Sequence, residues 1–114
     1  MVDCTFCRII AKQMPGEIIY EDEEVVAFKD INPQAPVHFL VVPRKHIASV
    51  LDIQPEDERL IGRLLLVAKK LTNEIGISTK GFRLVINTGD NAGQNIYHIH
   101  IHVLGGRRMT WPPG

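Results

Sequence analysis

Apolar residues recur three or four positions apart at Leu60, Ile61, Leu64, Leu65, Ala68, Leu71 and Ile75, the spacing of one helix face. Asp52 or Gln54 suits a cap and Pro55 a first helical position. Glu56-Asp57-Glu58 complements the N-terminal dipole, and Gly76 ends the run, so a long helix is predicted over 55–75. A weaker pattern, Phe6, Ile9 and Ile10, predicts a short helix from Thr5 to Gln13, stopped at Met14-Pro15-Gly16. Between the two lie β-prone runs at Ile18–Tyr20 and Val25–Phe28, split by the acidic turn Glu21-Asp22-Glu23-Glu24. Pro33 and Pro36 make 30–36 a stiff loop, and His38–Val42 reads as a third strand closed by Pro43. Beyond the long helix come a strand at Phe82–Asn87, a glycine-bearing loop at Thr88–Asn95 and a strand at Tyr97–Leu104. An irregular tail, Gly105–Gly114, ends the chain. This order predicts an α+β fold with a five-stranded, mainly antiparallel sheet, one long helix and one short one. A single domain spans 1–114, including the N-terminal segment 1–16 and the tail 105–114.

With 114 residues, 45% hydrophobic and 23% charged, the chain can build one core without covalent staples. Thirteen basic residues balance thirteen acidic ones. No broad basic face for a long nucleic acid is expected, although a single-phosphate site would not disturb that balance. The apolar run Leu64–Ala68 is far too short to span a bilayer, so no membrane partner is expected. Met1-Val2-Asp3-Cys4-Thr5 has no basic or apolar leader pattern, which makes the cytoplasm the expected compartment. There, Cys4-x-x-Cys7 reads as a metal or redox pair rather than a structural disulfide.

The chemistry concentrates in His98-Ile99-His100-Ile101-His102-Val103-Leu104. On a strand, the three imidazoles would share one face, roughly 6.5–7 Å apart, with Ile99, Ile101 and Val103 on the other. With five histidines in the chain, such a string arises in about one shuffled sequence in a hundred. Three readings are open: a polar strand face, an open metal site completed by a third ligand, and nucleophilic catalysis in which a middle imidazole attacks an electrophile.

The string resembles the signature of the histidine triad (HIT) superfamily. Phe28–Pro43, with Asp30-Ile31-Asn32-Pro33-Gln34-Ala35-Pro36 at its centre, together with Asn87, Ala92-Gly93-Gln94 and the ending Trp111-Pro112-Pro113-Gly114, resembles its nucleotide-binding branch, the purine nucleoside phosphoramidases. The resemblance implies a HIT-like fold and a homodimer joined through the long helix and the adjacent strand into a continuous sheet. It implies hydrolysis of the P–N bond of adenosine or guanosine 5′-phosphoramidates through a nucleotidyl-histidine intermediate, without a catalytic cofactor. His100 would be the nucleophile, His102 would bond the phosphate and leaving group, and His98 with His38 would form a relay behind the nucleophile.

By the same resemblance, Asp30 would accept the ribose hydroxyls, and Phe28 and Ile31 would flank the purine. Asn87 would reach the nucleotide, while Gly93, Gln94 and Asn95 would contact phosphate; many members carry Ser or Thr where Asn95 stands. Read from the residues alone, Asp30 is equally an Asx-turn residue and the glycines equally turn chemistry. Cys4, Cys7, His46 and His98 would hold a structural zinc, as in bacterial-type members. Trp111 would approach the active sites across the dimer. Hydrolysis of dinucleoside polyphosphates, and nucleotide binding or scaffolding with secondary activity, are the neighbouring functions.

Overall fold

The computed structural model describes residues 4–114; the leader reading at Met1-Val2-Asp3 lies outside them. Its elements are α1 (Thr5–Ile10), β1 (Ile18–Glu21), β2 (Val25–Lys29), β3 (Val37–Pro43), α2 (Glu58–Ile75), β4 (Phe82–Val85) and β5 (Ile101–Gly105), with short 3₁₀ turns between. Four antiparallel pairings build one sheet in the order β1-β2-β3-β5-β4. No helix is long and apolar enough to cross a membrane among the described residues.

The long helix forms where its periodicity predicts it. A 3₁₀ turn at Pro55–Asp57 leads into α2, and the Gln54 N–H donates to Asp57 Oδ2 at 2.9 Å. At the far end Gly76 takes φ 95°, which lets its N–H reach the Thr72 carbonyl at 3.0 Å and stops the helix. The β1–β2 turn is organised by Asp22, whose Oδ1 accepts the N–H groups of Glu24 and Val25, both at 2.8 Å. Its Oδ2 accepts from Tyr20 Oη and Arg63 Nη2, both at 2.7 Å. Burial pushes the Asp22 carboxyl up, but these donors outweigh it and hold the group well below the usual carboxylate range.

Alternation along the strands sorts the core into two layers. Val25, Ala27, Phe39, Val41, Ile101 and Val103 face α2, where Leu64, Val67, Ala68 and Leu71 cover them. Each fully buried Val, Leu, Ile or Phe among them contributes roughly 1.5–3 kcal/mol. Val26, Phe28, Leu40 and Val42 face the other way and pack under α1 through Phe6 and Ile9. The histidines lie on this second side.

The first turn of the predicted long helix, Pro55–Asp57, is 3₁₀ rather than α, and three other predicted elements are longer than the observed ones. The first helix ends at Ile10 rather than Gln13, because Lys12 turns into a left-handed conformation, φ 61°. The fourth strand ends at Val85, not Asn87. The last strand begins at Ile101, not Tyr97, so of the triad only His102 sits on a strand. Pro43 closes β3 and has no N–H with which to extend the ladder; Ile99 donates instead to the Ile47 carbonyl at 2.6 Å. The alternation nevertheless persists in burial, with Ile99, Ile101 and Val103 all in the α2 core.

Candidate active site

Register brings the first two functional rings together. Leu40 pairs with His102 and His38 with Leu104 across β3 and β5, so His38 and His102 are diagonal neighbours on one face, ring centroids 5.2 Å apart. His100 follows at 4.9 Å from the His102 ring. All three line a cavity of about 400 Å³, floored by Phe28 and Leu40 and walled by Phe6 and Ile9 of α1.

The hydrogen bonds assign each ring its proton. A carbonyl only accepts, so the 2.8 Å contact from His100 Nδ1 to the His98 carbonyl puts the proton on Nδ1 and leaves the lone pair on Nε2. The Gln34 N–H donates to His38 Nδ1 at 3.0 Å, so His38 carries its proton on Nε2. That N–H points at His102 Nδ1, 3.0 Å away, and His102 in turn carries its proton on Nε2. Asp30 Oδ2 lies 3.3 Å from His38 Nε2, while Oδ1 accepts the Asn32 N–H at 2.8 Å. One ring is thus set as an acceptor and its neighbour as a donor.

Burial keeps these rings neutral. His38 and His100 are both pushed below the ordinary imidazole value by loss of solvent, against the pull of Asp30. Burial, reinforced by repulsion from His100 and His38, takes His102 to about 4.

A second cluster forms behind the first. His98 is fully buried and its ring turns away from the cavity: Nε2 donates to the Pro43 carbonyl at 2.7 Å, and Nδ1 faces Cys4 Sγ at 3.4 Å, Cys7 Sγ at 3.5 Å and His46 Nδ1 at 3.2 Å. Cys7 Sγ is also 3.4 Å from His46 Nδ1. Tetrahedral zinc, with bonds of about 2.3 Å to sulfur and 2.0–2.1 Å to nitrogen, separates two nitrogens by about 3.3 Å and sulfur from nitrogen by about 3.5 Å. The four side chains fit that ion, and the His98 proton on Nε2 leaves a lone pair on Nδ1 to meet it. Burial lowers His98 to about 4, and burial beside Cys4 raises the Cys7 thiol to about 11. The ligand atoms of Asp30, His38 and His102 also lie within 4.8 Å of one another. They suit a cation less well, because the Gln34 N–H keeps a proton on His38 Nε2, the atom that would ligate.

Phe28, Asp30, Ile31, His38, Asn95, His100 and His102, all named from the sequence, border the cavity. Others do not. His38 bonds the His102 ring rather than standing behind His100, and His98 serves His100 through its carbonyl instead of its imidazole, so the expected relay of His98 with His38 does not form. Gln94 is a brace: its Oε1 accepts the Gly89 N–H at 3.0 Å and its Nε2 donates to the Ala48 carbonyl at 2.8 Å. The N–H groups of Gly93 and Gln94 close the loop on Asp90 and Gly89, and Asn87, Gly93 and Gln94 are absent from the cavity lining. Asp30 borders the cavity with both oxygens engaged, so a ribose hydroxyl would share it with His38. Missed from the sequence were Phe6, whose ring meets His100 edge-on at 5.0 Å and Phe28 at 5.2 Å, and Leu40. Leu40 was legible as the residue two after His38 on a strand; nothing local in Phe6 says what α1 rests on.

An antiparallel α+β sheet with alternating histidines running into β5, beside its central strand, two of them preset as acceptor and donor over one cavity, defines a histidine triad protein. The chain belongs to the HIT family: the HIT domain matches residues 11–109. An uncharacterized HIT-like protein of Synechocystis is 49% identical over 98% of this chain and 97% of its own. The crystal structure of a HIT family hydrolase from Legionella pneumophila superposes with a TM-score of 0.96, at 48% identity, over 98% of this chain and all of that one. A histidine triad nucleotide-binding protein from Candida albicans, 28% identical, matches with a TM-score of 0.81 over 96% of this chain and 83% of its own.

Proposed function

We propose that this protein hydrolyses the P–N bond of purine nucleoside 5′-phosphoramidates. The observation that carries the reading is the pair of opposite tautomers, a lone pair on His100 Nε2 beside an N–H on His102 Nε2, over a single cavity. His100 Nε2 attacks phosphorus while the His98 carbonyl holds the developing imidazolium, and the P–N bond breaks. An amine leaves only with a proton. The phosphoryl charge favours protonation of the His38–His102 pair once substrate is bound, Asp30 balances that charge, and Nε2 of His102 passes the proton to the leaving nitrogen. Water then attacks phosphorus, breaks the N–P bond, releases the nucleoside monophosphate and returns a proton to solvent. Phe6, Phe28 and Leu40 supply apolar surface for a purine, with Ile31 at the mouth.

Zinc, when bound by Cys4, Cys7, His46 and His98, supplies a closed structural link between α1 and the triad segment and no chemistry. The working molecule is a homodimer joined through α2 and β4.

The test offers wild-type and His100→Ala protein a fluorogenic adenosine 5′-phosphoramidate and a diadenosine polyphosphate, with and without brief exposure to chelator. The expected result is preferential phosphoramidate turnover, indifferent to chelator and reduced on the order of a thousandfold or more in the variant. Turnover surviving His100→Ala overturns the mechanism. Preference for the diadenosine compound overturns the substrate class, and nucleotide binding without turnover of either makes the protein a nucleotide-binding module.

A further inference from the structure

The root of the C-terminal tail grips the loop that feeds His38. Gly105 pairs with Val37 at the end of β5, and Gly106 follows at φ 86°, where a Cβ would stand 3.0 Å from Pro36 Cβ. Only glycine lets the chain pass this close to Pro36 in that conformation. The turn brings Arg107 over Gln34, and its Nε donates to the Gln34 carbonyl at 3.0 Å. A second guanidinium N–H bonds the Arg108 carbonyl at 3.0 Å and fixes the side chain. Gln34 also ties back through its own amide, Nε2 donating to the Asn32 carbonyl at 3.0 Å.

Gln34 therefore has its carbonyl held outward by Arg107 while its N–H points inward at His38 Nδ1. That N–H occupies the His38 Nδ1 lone pair while the Asp30 carboxylate, 3.3 Å from Nε2, accepts on the other side; together they fix the His38 proton on Nε2, and that proton fixes the one on His102. We infer that Arg107 is a positioning residue: by clamping the Gln34 backbone it sets the tautomer of His38 and, through it, the donor face of His102. The chain of bonds runs Arg107, Gln34, His38, His102, and ends at the atom that meets the leaving group. The catalytic half of this inference rests on the phosphoramidase reading; the tautomer half does not.

The experiment separates the two. Long-range ¹H–¹⁵N spectra of histidine-labelled protein report which ring nitrogen carries the proton, without any substrate. Wild type is expected to show His38 protonated at Nε2. In Arg107→Ala the His38 nitrogens move toward the average of two tautomers, and His102 follows. Arg107→Lys, which keeps a cationic donor, restores part of the wild-type pattern, and Arg108→Ala leaves it unchanged. With a phosphoramidate substrate, kcat in Arg107→Ala falls on the order of tenfold while KM changes little. A His38 tautomer unmoved in Arg107→Ala, or moved equally in Arg108→Ala, overturns the inference. A tautomer shift in a protein that turns over no phosphoramidate leaves the clamp standing and removes the function reading instead.

Discussion

His102 carries more of the site's electrostatics than its neighbours, because burial and two adjacent imidazoles oppose its protonation while only Asp30 favours it. The ring is held at about 4, so an NMR titration is expected to find it neutral from pH 7 down to about 5. An unfolded histidine takes a proton near pH 6.5, and the folded His102 does not until about 4. Between those values the unfolded state binds more protons, so stability falls as pH drops through that window and is unaffected by this group above it. Urea midpoints measured across pH 4–7 check the slope, and a ring titrating near 6.5 in the native protein contradicts it. The same environment leaves the His100 lone pair available at neutral pH, where a solvated imidazole would be partly protonated.

At the scale of elements, α1 is the least self-sufficient part of the fold. It has six residues, far below the length at which a helix is stable alone, and Cys4 caps it by accepting the Cys7 N–H on Sγ at 3.3 Å. Its anchors are the apolar contacts of Phe6 and Ile9 and the cysteines gathered with His46 and His98. A metal there would fasten the helix, and Phe6 with it, against His100. Metal analysis of protein purified without chelator is expected to find about one zinc per chain. Cys4→Ser should lower the Tm by at least about 4 °C, the shift that about 1 kcal/mol makes in a domain of this size. Hydrogen exchange should show lost protection in 5–10 while β2 and β3 keep theirs. Protein free of zinc with an equally protected α1 rules the link out.

Across the whole molecule, the sheet is covered unevenly. Leu84 pairs with Val103 and so shares the face that α2 covers, yet α2 packs chiefly over β2 and β3 and β4 stays partly exposed. Phe82, Leu84 and Ile86 are 36%, 37% and 40% exposed on that edge, and Leu65 and Leu66 of α2 are 48% and 58% exposed. An apolar edge strand beside an apolar helix is the surface a second copy would bury. Sedimentation at micromolar concentration is expected to show a dimer that Leu84→Lys splits; a wild-type monomer refutes it. The tail belongs to this scale too, since Trp111 is 81% exposed and is free to meet a neighbouring subunit.

Periodicity and β-prone runs, together with the turn, proline and glycine signals between them, located both helices and all five strands, because burial of one face repeats every 3.6 or 2 residues wherever it occurs. The alternation of His100 and His102 with Ile99, Ile101 and Val103 likewise determined which side of the sheet holds the chemistry. What each histidine does was decided only in three dimensions. A ring's role depends on which nitrogen carries the proton, and the groups that fix this are the carbonyl of His98, the N–H of Gln34 and the carbonyl of Pro43. Those are backbone atoms, a carbonyl in every residue and an N–H in every residue but proline, with no signature in a sequence. The same holds for Gln94, whose side chain closes a loop, and for Phe6, whose partner ring lies 94 positions away. Residue types and spacing determined the inventory and the faces; packing decided the protons.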